Sequence, residues 1–258
     1  MKLINGFFMA WGNFCVIPCP CRRWDEDARK WMLVMFPLIG GMMGILWYGL
    51  CRLMALCTVP APVFAALMTA YPFAASGFIH LDGFMDCNDA ILSRRSLPER
   101  QRILKDSHVG AFAVITTTLL FLLFFSAMWT IIQNGEKWDI WCLIFLPILA
   151  RASSAKAVLT CPPLSSSQYK AVFNKRENRI YRGSLLFIWI LAAGIMTGGA
   201  FFLYEKQWSC MLTAVCGLAA SWLSGSYARK QLGGMSGDVA GYMLVWTELT
   251  TVLFLAVE

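Results

Sequence analysis

Three aspartates at helical spacing are the residues of this chain whose types and positions could do chemistry. Asp82, Asp86 and Asp89 stand at i, i+4 and i+7. On an α-helix this spacing places them within about 60° of one face. Three like charges on one stripe repel one another, whereas a divalent cation between them would remove the repulsion, and hard oxygen ligands suit Mg²⁺ or Mn²⁺. The alternative interpretation is a solvated acidic segment at the end of a helix.

A metal ion held by these carboxylates would have a chemical use. It could neutralise a diphosphate and stabilise charge during phosphoryl transfer. Gly83, inside the acidic stretch, leaves room for the close approach of a backbone or a phosphate. The stretch therefore indicates an Mg²⁺ site for a phosphorylated substrate.

A second polar segment follows in the same connection. Ser96 and Glu99 form a capping box around Pro98, which predicts a short helix over Leu97–Lys105. The end of that helix provides a cation, a carboxylate and a hydroxyl that could bind phosphate or metal: Lys105, Asp106 and Ser107. The alternative is a helix end whose charges only complement the helix dipole.

A glycine-rich segment precedes the last apolar block. Gly233, Gly234 and Gly237 lead directly to Asp238. Glycines before a helix N-terminus can form a phosphate cradle in which backbone amides point at the ligand, and Asp238 would then be a further metal ligand. Alternatively, Asp238 is only the helix N-cap and the glycines form a tight turn.

The elements that must position these residues are membrane-spanning helices. Hydrophobic residues make up 58% of the 258 residues and charged residues only 14%, which is too little polar surface for a water-soluble globule. The apolar residues fall in blocks long enough to cross a bilayer, which takes about 20 helical residues. We predict an all-α integral membrane protein, a single domain over residues 1–258, with about seven transmembrane helices. The predicted spans are Trp31–Leu50, Pro60–Ile79, Gly110–Ile132, Trp138–Leu159, Ser184–Leu203, Trp208–Leu223 and Val239–Val257.

The N-terminal segment does not predict another crossing. Phe7–Pro20 is apolar but short, is interrupted by Gly12 and two prolines, and precedes the charged run Arg22–Lys30. These features favour an interfacial or re-entrant segment.

The basic residues predict the orientation. Seven spans place the N-terminal region and the 80–109, 161–183 and 225–238 loops on one side, together with seventeen Lys and Arg residues. The other side has three: Arg52, Lys137 and Lys206. The positive-inside rule puts the first side in the cytoplasm and the C-terminus outside. The net charge of +7 then reflects topology and contact with anionic lipid, and no basic recognition helix indicates nucleic-acid binding.

Three charged residues lie in the interior of predicted spans, away from their ends. Arg151, Lys156 and Glu248 are costly in lipid and must face the bundle interior or water. Glu248 could pair with a basic residue as a structural device. Alternatively, the three line a polar cleft that reaches the acidic site, where Arg151 would contact the substrate.

Together, these segments resemble the cobalamin synthase family. His80–Asp89, which reads H-L-D-G-F-M-D-C-N-D, is similar to the family's signature motif. Lys105–Gly110 is similar to its K-D-S-x-[IV]-G, and Gly233–Asp238 to its G-G-x-[ST]-G-D. Ile17–Pro20 and Phe36–Gly40 are also similar, and all occur in the family's order. Departures are Ala90, His108, Ala111 and Ala113, which stand where Gly, Arg, Thr and Gly are common; the acidic positions are intact.

The resemblance implies an Mg²⁺-dependent enzyme of the bacterial cytoplasmic membrane in a late step of cobalamin (vitamin B12) biosynthesis. It would join adenosylcobinamide-GDP to α-ribazole, or to α-ribazole 5′-phosphate, and release GMP. On this reading the metal ligands are Asp82, Asp86, Asp89, Asp106 and Asp238. The residues that would bind or stabilise phosphate groups are Lys105, Ser107, Gly233, Gly234 and Gly237. His80 would be either the proton acceptor or an interfacial hydrogen-bonding residue.

Two other functions fit the sequence less well. A CDP-alcohol phosphotransferase also places aspartates on membrane helices around a metal, but this chain lacks the Ala-Arg pair and later aspartate spacing of that pattern. A cation or corrinoid transporter predicts carboxylates at mid-membrane, where only Glu248 fits. Self-association and docking of other cobalamin-pathway enzymes on the basic loops stay open.

Overall fold

The computed structural model describes residues 1–21, 24–134, 137–173, 178–204 and 207–257. These residues form eleven α-helices and one 3-10 turn at Glu26–Ala28, and the β-structure among them is a single isolated bridge. The helices are α1 Lys2–Phe14, α2 Arg29–Leu56, α3 Ala61–Ala75, α4 Ile79–Leu92, α5 Leu97–Ile103, α6 Ala111–Asn134, α7 Lys137–Cys142, α8 Leu146–Thr160, α9 Arg179–Tyr204, α10 Gln207–Leu232 and α11 Gly237–Val257. Five of the basic residues used for orientation lie outside the described residues: Arg22, Arg23, Lys175, Arg176 and Lys206.

The prediction of an all-α, multi-pass membrane protein is confirmed. Within the described chain, six helical segments are long and apolar enough to cross a membrane, and there are seven if α3 and α4 together count as one span. Each predicted span falls on one helix or on a consecutive pair, in chain order. The fourth is such a pair, since a turn at residues 143–145 separates α7 from α8.

The second predicted span is wrong at its C-terminal end. α3 ends at Ala75, and α4 leaves it at an angle of 89°. The chain turns because Gly77 and Phe78 have positive φ values of 64° and 61°, a left-handed conformation that interrupts a right-handed helix. The bend places the acidic stretch on a helix of its own, directed across the end of α3.

Two stretches predicted as loops are largely helical. In the 80–109 connection, α4 and α5 take up most of the chain, and α5 confirms the short helix predicted there, although Ser96 makes no side-chain capping hydrogen bond. α10 continues to Leu232, which reduces the 225–238 loop to residues 233–236. Apolar blocks mark only the part of a helix that lies in lipid, whereas its backbone hydrogen bonds can continue beyond it.

The N-terminal segment is a helix packed on the bundle. α1 buries Met9 and Ala10 against α2, and a Cβ added at Gly6 would lie 2.7 Å from the Cβ of Trp31. The chain then passes close to the bend, where the Val16 amide donates to the Ala75 carbonyl at 3.0 Å. With 13 residues, α1 is too short to cross a bilayer, which agrees with the predicted interfacial position.

The last helix lies at the centre of the bundle. α11 packs against α4, α6, α8 and α10, and α2 packs against α8. Most residues of α11 are buried, including two of its three threonines, Thr247 and Thr251. The helix that begins at the glycine-rich segment is therefore the element against which the acidic helix α4 is positioned.

Candidate active site

The acidic helix and the central helix cross at very short range. A Cβ added at Gly83 would lie 2.8 Å from the Cα of Asp238, and one added at Gly241 would lie 2.9 Å from the His80 carbonyl oxygen. Small residues allow two helix backbones to approach in this way. The space at Gly83, predicted to admit a backbone or a phosphate, is therefore filled by the backbone of Asp238.

Asp82, Asp86 and Asp238 form a group of carboxylates at this crossing, called here the acidic group. The charges of Asp82 and Asp238 both act on the Asp86 carboxyl. Within the described residues none of the three carboxylates forms an ion pair, and their one side-chain hydrogen bond joins the Ser236 hydroxyl to Asp238 Oδ2 at 3.1 Å. Unpaired like charges at short range are unfavourable, and a bound cation is one way to relieve that repulsion.

The donor chemistry of the acidic group fits Mg²⁺. Carboxylate oxygens are its preferred protein ligands, and it commonly uses one or two of them together with substrate phosphates and water. In the part of the chain that the structure describes, no three His, Cys, Asp or Glu side chains already converge as a metal shell. A bound ion would therefore take a partial protein shell, completed by rotation of side chains and by ligands from substrate or water.

Asp89 has a structural role. Its Oδ2 accepts from the Gly110 amide at 2.6 Å and its Oδ1 from the Ala113 amide at 2.9 Å. Both carboxylate oxygens therefore satisfy backbone donors at the start of α6, which is a capping interaction. Its charge also acts on Asp86, but its position at the start of α6 assigns it to holding that helix against α4. Metal ligation by Asp89 stays a prediction.

The segment between α5 and α6 is exposed. Asp106 accepts from the His108 amide at 3.1 Å, and its carboxylate lies 2.6 Å from His108 Nδ1. These hydrogen bonds hold the pKa of Asp106 below its usual value. Lys105 and Ser107 are exposed on either side of it. The structure ties this segment to α4 through Asp89 and Gly110, but Asp106 is not among the charges that act on Asp86.

The glycine-rich turn is paired with another loop. The Leu164 amide donates to the Met235 carbonyl, and the Met235 amide donates to the Pro162 carbonyl, both at 2.9 Å. Gly234 is buried, and a Cβ added there would lie 2.8 Å from the Leu164 nitrogen. Gly233 has a φ of 89°. The positive φ explains the glycine at position 233, and the close approach to Leu164 explains the glycine at position 234. Phosphate binding by Gly233, Gly234 and Gly237 stays a prediction.

A cavity of about 150 Å³ opens beside the acidic group, with Asp82 and Asp238 among its lining residues. Its walls include three aromatic rings, those of Phe14, Phe36 and Tyr169, and it is called here the aromatic cavity. His80 lines it as well, buried between Phe14 and Phe36 with ring-centroid distances of 5.9 and 5.5 Å. Burial also raises the pKa of the Tyr169 phenol.

Arg151 is not part of the acidic group, and substrate binding by it stays a prediction. Its side chain is fully enclosed, its Nη1 pairs with Glu248 Oε1 at 2.9 Å, and its guanidinium lies 5.5 Å from the centre of the Phe36 ring. A charge within the bundle requires such a partner. The alternative interpretation, a structural pair with Glu248, is therefore the one the structure confirms. Lys156 lies in a separate, mainly apolar cavity.

Sequence reasoning missed several residues of the cavity. Phe14 comes from the N-terminal helix, Tyr169 and Gln168 from the loop before α9, and Ser154 from α8. Their spacing carries no signal, because they converge only through the packing of α1 and of residues 161–173 against the bundle. The pairing of that loop with the glycine-rich turn brings them together.

Comparisons with known proteins agree with the motifs. The family model described as Cobalamin-5-phosphate synthase matches residues 6–256. A protein from Clostridium perfringens (strain 13 / Type A), named adenosylcobinamide-GDP ribazoletransferase, is 38% identical over 256 residues, which cover 99% of this chain and 98% of that protein. Proteins of the same name from Clostridium botulinum (strain Alaska E43 / Type E3) and Lachnoclostridium phytofermentans are 35% and 31% identical, covering 96% of this chain and 95% and 92% of their own length. No solved structure matches the chain. Matches over nearly the whole length of the chain, to the family model and to these relatives, show that it belongs to the cobalamin-5-phosphate synthase family.

Proposed function

We propose that this protein is an adenosylcobinamide-GDP ribazoletransferase. It joins adenosylcobinamide-GDP to α-ribazole, or to α-ribazole 5′-phosphate, and yields adenosylcobalamin, or its 5′-phosphate, together with GMP. Family membership supports the reaction. The single structural observation that carries the proposal is the close crossing of α4 and α11, since it unites the carboxylates of two separate family motifs in one acidic group.

The reaction is an in-line displacement at phosphorus. A hydroxyl oxygen of the acceptor forms a bond to the corrinoid-side phosphorus, the bond from that phosphorus to the oxygen of GMP breaks, and the hydroxyl proton leaves to a base. Such a displacement needs positioning and neutralisation of charge more than covalent help from the protein. Mg²⁺, when bound, would supply that neutralisation at the diphosphate.

The chain's own residues divide these tasks. Asp82, Asp86 and Asp238 hold the cation, and Asp106 is a further candidate ligand from the exposed segment. Lys105 and Ser107 are placed where they can meet phosphate oxygens from solvent. His80 is the candidate proton acceptor, although its burial between two rings places it inside the cavity rather than on the acidic face.

The location of the site follows from topology. We infer that the protein lies in the bacterial cytoplasmic membrane with the acidic group at the cytoplasmic face, where soluble substrates arrive, and with the C-terminus outside. The bias of basic residues supports this, as does the position of the acidic group at the N-terminal end of α11. A C-terminal reporter active only in the periplasm would test it, and activity of the reporter in the cytoplasm would overturn the orientation.

The decisive experiment is an in vitro assay. Detergent-purified protein receives adenosylcobinamide-GDP, α-ribazole phosphate and Mg²⁺, beside an Asp82→Asn variant and a chelator-treated control. We expect GMP and corrinoid product from the wild type, with activity lower by about a hundredfold or more in the variant and restored after chelation by added Mg²⁺. A folded wild type without product would contradict the proposal and make corrinoid or cation transport in liposomes the next measurement.

A further inference from the structure

The aromatic cavity is unlike a phosphate site. Its walls carry three aromatic rings and aliphatic side chains that include Leu33 and Val158, and the charged residues in its lining are two carboxylates, Asp82 and Asp238. Ring faces offer a phosphate no hydrogen bond, and the two carboxylates would meet a phosphate only through a bound cation, at the side of the cavity where the acidic group lies. These walls accept an apolar, flat group instead.

The size of the cavity restricts that group further. At about 150 Å³, it matches the volume of roughly 150 Å³ at which an apolar cavity takes a benzene-sized ring. A corrin macrocycle is far too large. A flat bicyclic ring can enter with one edge directed out of the cavity towards the acidic group.

One buried polar atom in the lining has no partner. The His80 side chain is only 7% exposed, and its Nε2 makes no hydrogen bond with any described residue. Buried ring nitrogens are normally paired, and because His80 lines the cavity, a ligand bound there would be a partner for this one. Phe14 and Phe36 hold the imidazole in place, which fixes the direction of that hydrogen bond.

We propose that the aromatic cavity binds the base of the nucleoside acceptor, a flat benzimidazole. Its free ring nitrogen accepts a hydrogen bond from His80 Nε2, and its ribose extends towards the acidic group. The inference rests on the proposed function and gives His80 a role as hydrogen-bond donor to the base, in place of proton acceptor. Guanine, the base of the other substrate, would instead pair its edge with polar side chains of the lining such as Ser154 and Gln168, and kinetics with each substrate in turn distinguish the two bases.

Steady-state kinetics of the detergent-purified full chain test the proposal. Each substrate is varied in turn with the other saturating, for the wild type, His80→Phe and His80→Gln. We expect His80→Phe, which keeps a ring but loses the donor, to raise KM for α-ribazole about tenfold. KM for adenosylcobinamide-GDP should not change, and His80→Gln, which keeps a donor, should recover most of the loss.

A second pair of variants tests the cavity without touching His80. Ala155 and Ala157 lie on opposite sides of α8, the former lining the aromatic cavity and the latter the separate apolar cavity. We expect Ala155→Leu to raise KM for α-ribazole by filling the site, whereas Ala157→Leu, the matched control, leaves it unchanged. Size-exclusion profiles of all variants establish that each is folded.

The outcomes separate the proposals. A rise in KM for adenosylcobinamide-GDP alone would assign the cavity to guanine, and a fall in kcat at constant KM would assign His80 to the reaction; either overturns the inference while the transferase stands. If the wild type shows no turnover, equilibrium dialysis measures whether it still binds α-ribazole. Binding that His80→Phe weakens would keep the cavity and reject the transferase, and no binding would reject both.

Discussion

At the scale of single residues, one stripe of aspartates performs two tasks. Both carboxylate oxygens of Asp89 accept hydrogen bonds from the backbone amides of Gly110 and Ala113 at the start of α6. The carboxylates of Asp82 and Asp86 have no hydrogen-bond or ion-pair partner among the described residues. The residue at i+7 therefore anchors a helix, while the residues at i and i+4 meet Asp238 to form the acidic group.

Alanine substitutions should separate these tasks. Asp89→Ala removes a cap and should lower the free energy of unfolding by about 1 kcal/mol, with activity reduced mainly through the displaced α6. Asp82→Ala removes one of several repelling charges, so we expect unchanged or slightly higher stability with activity lost. Thermal unfolding in detergent and the GMP-release assay measure the two effects. Equal losses of stability in both variants would contradict this division.

The sequence was sufficient to find these aspartates but not to separate them. Helical spacing identifies a shared face from local geometry alone. Whether a member of that face caps another helix depends on where α6 begins in space, and the intervening residues 93–109 do not specify that. Arg151 illustrates the same limit of the sequence. A charge inside a predicted span indicates either an ion-pair partner or a polar cleft, and only the fold identified Glu248 as that partner.

At the scale of elements, the site depends on how closely α4 approaches α11. Gly83 and Gly241 remove the side chains that would hold the two backbones apart. The atoms that an added Cβ would meet are backbone atoms of Asp238 and His80, which cannot move aside without moving a helix. The distance between Asp82 and Asp238 is therefore controlled by these two glycines.

Adding one methyl group should test this control. Gly83→Ala places a Cβ 2.8 Å from the Asp238 Cα, so we expect the helices to separate and activity to fall at least tenfold, with reduced thermal stability. Gly49→Ala is the matched control, since nothing lies within 4 Å of a Cβ added to that helical glycine. The control should be neutral or stabilised by up to about 1 kcal/mol. Full activity in Gly83→Ala would reject the crossing as described.

The helices were predicted correctly where they cross the bilayer, because a span must be apolar. They were predicted less well at bends and at helix ends outside the bilayer, where this constraint is absent. Long apolar blocks mark the spans because lipid admits no unpaired backbone polar group. The bend after α3 escaped notice because Ser76, Gly77 and Phe78 continue an apolar block, and the backbone conformation there is not visible in hydropathy. α10 was predicted too short because its last turns, which include Arg229 and Lys230, are polar.

At the scale of the whole molecule, α11 joins the site to the core of the bundle. Asp238 lies in its first turn, and Glu248 follows ten residues later, about 15 Å along the helix. Glu248 pairs with Arg151 of α8, and Arg151 also donates to the Pro147 carbonyl and lies against Phe36 of α2. This ion pair fixes α8 and α2 relative to α11 and so sets the position of Asp238 from a distance.

A double-mutant cycle should show that the ion pair serves packing rather than the reaction. Glu248→Leu leaves Arg151 charged, buried and unpaired, and should lower the free energy of unfolding by about 3–5 kcal/mol. Arg151→Met should have a comparable effect by stranding Glu248. The double variant replaces the pair with apolar side chains of similar volume and should recover most of the stability. Because neither residue touches the acidic group, activity should return with stability, as measured by detergent-denaturation curves and GMP release from the same preparations. A stable double variant that remains inactive would instead assign the pair a part in the chemistry, and additive losses would show that the two charges do not act as a pair.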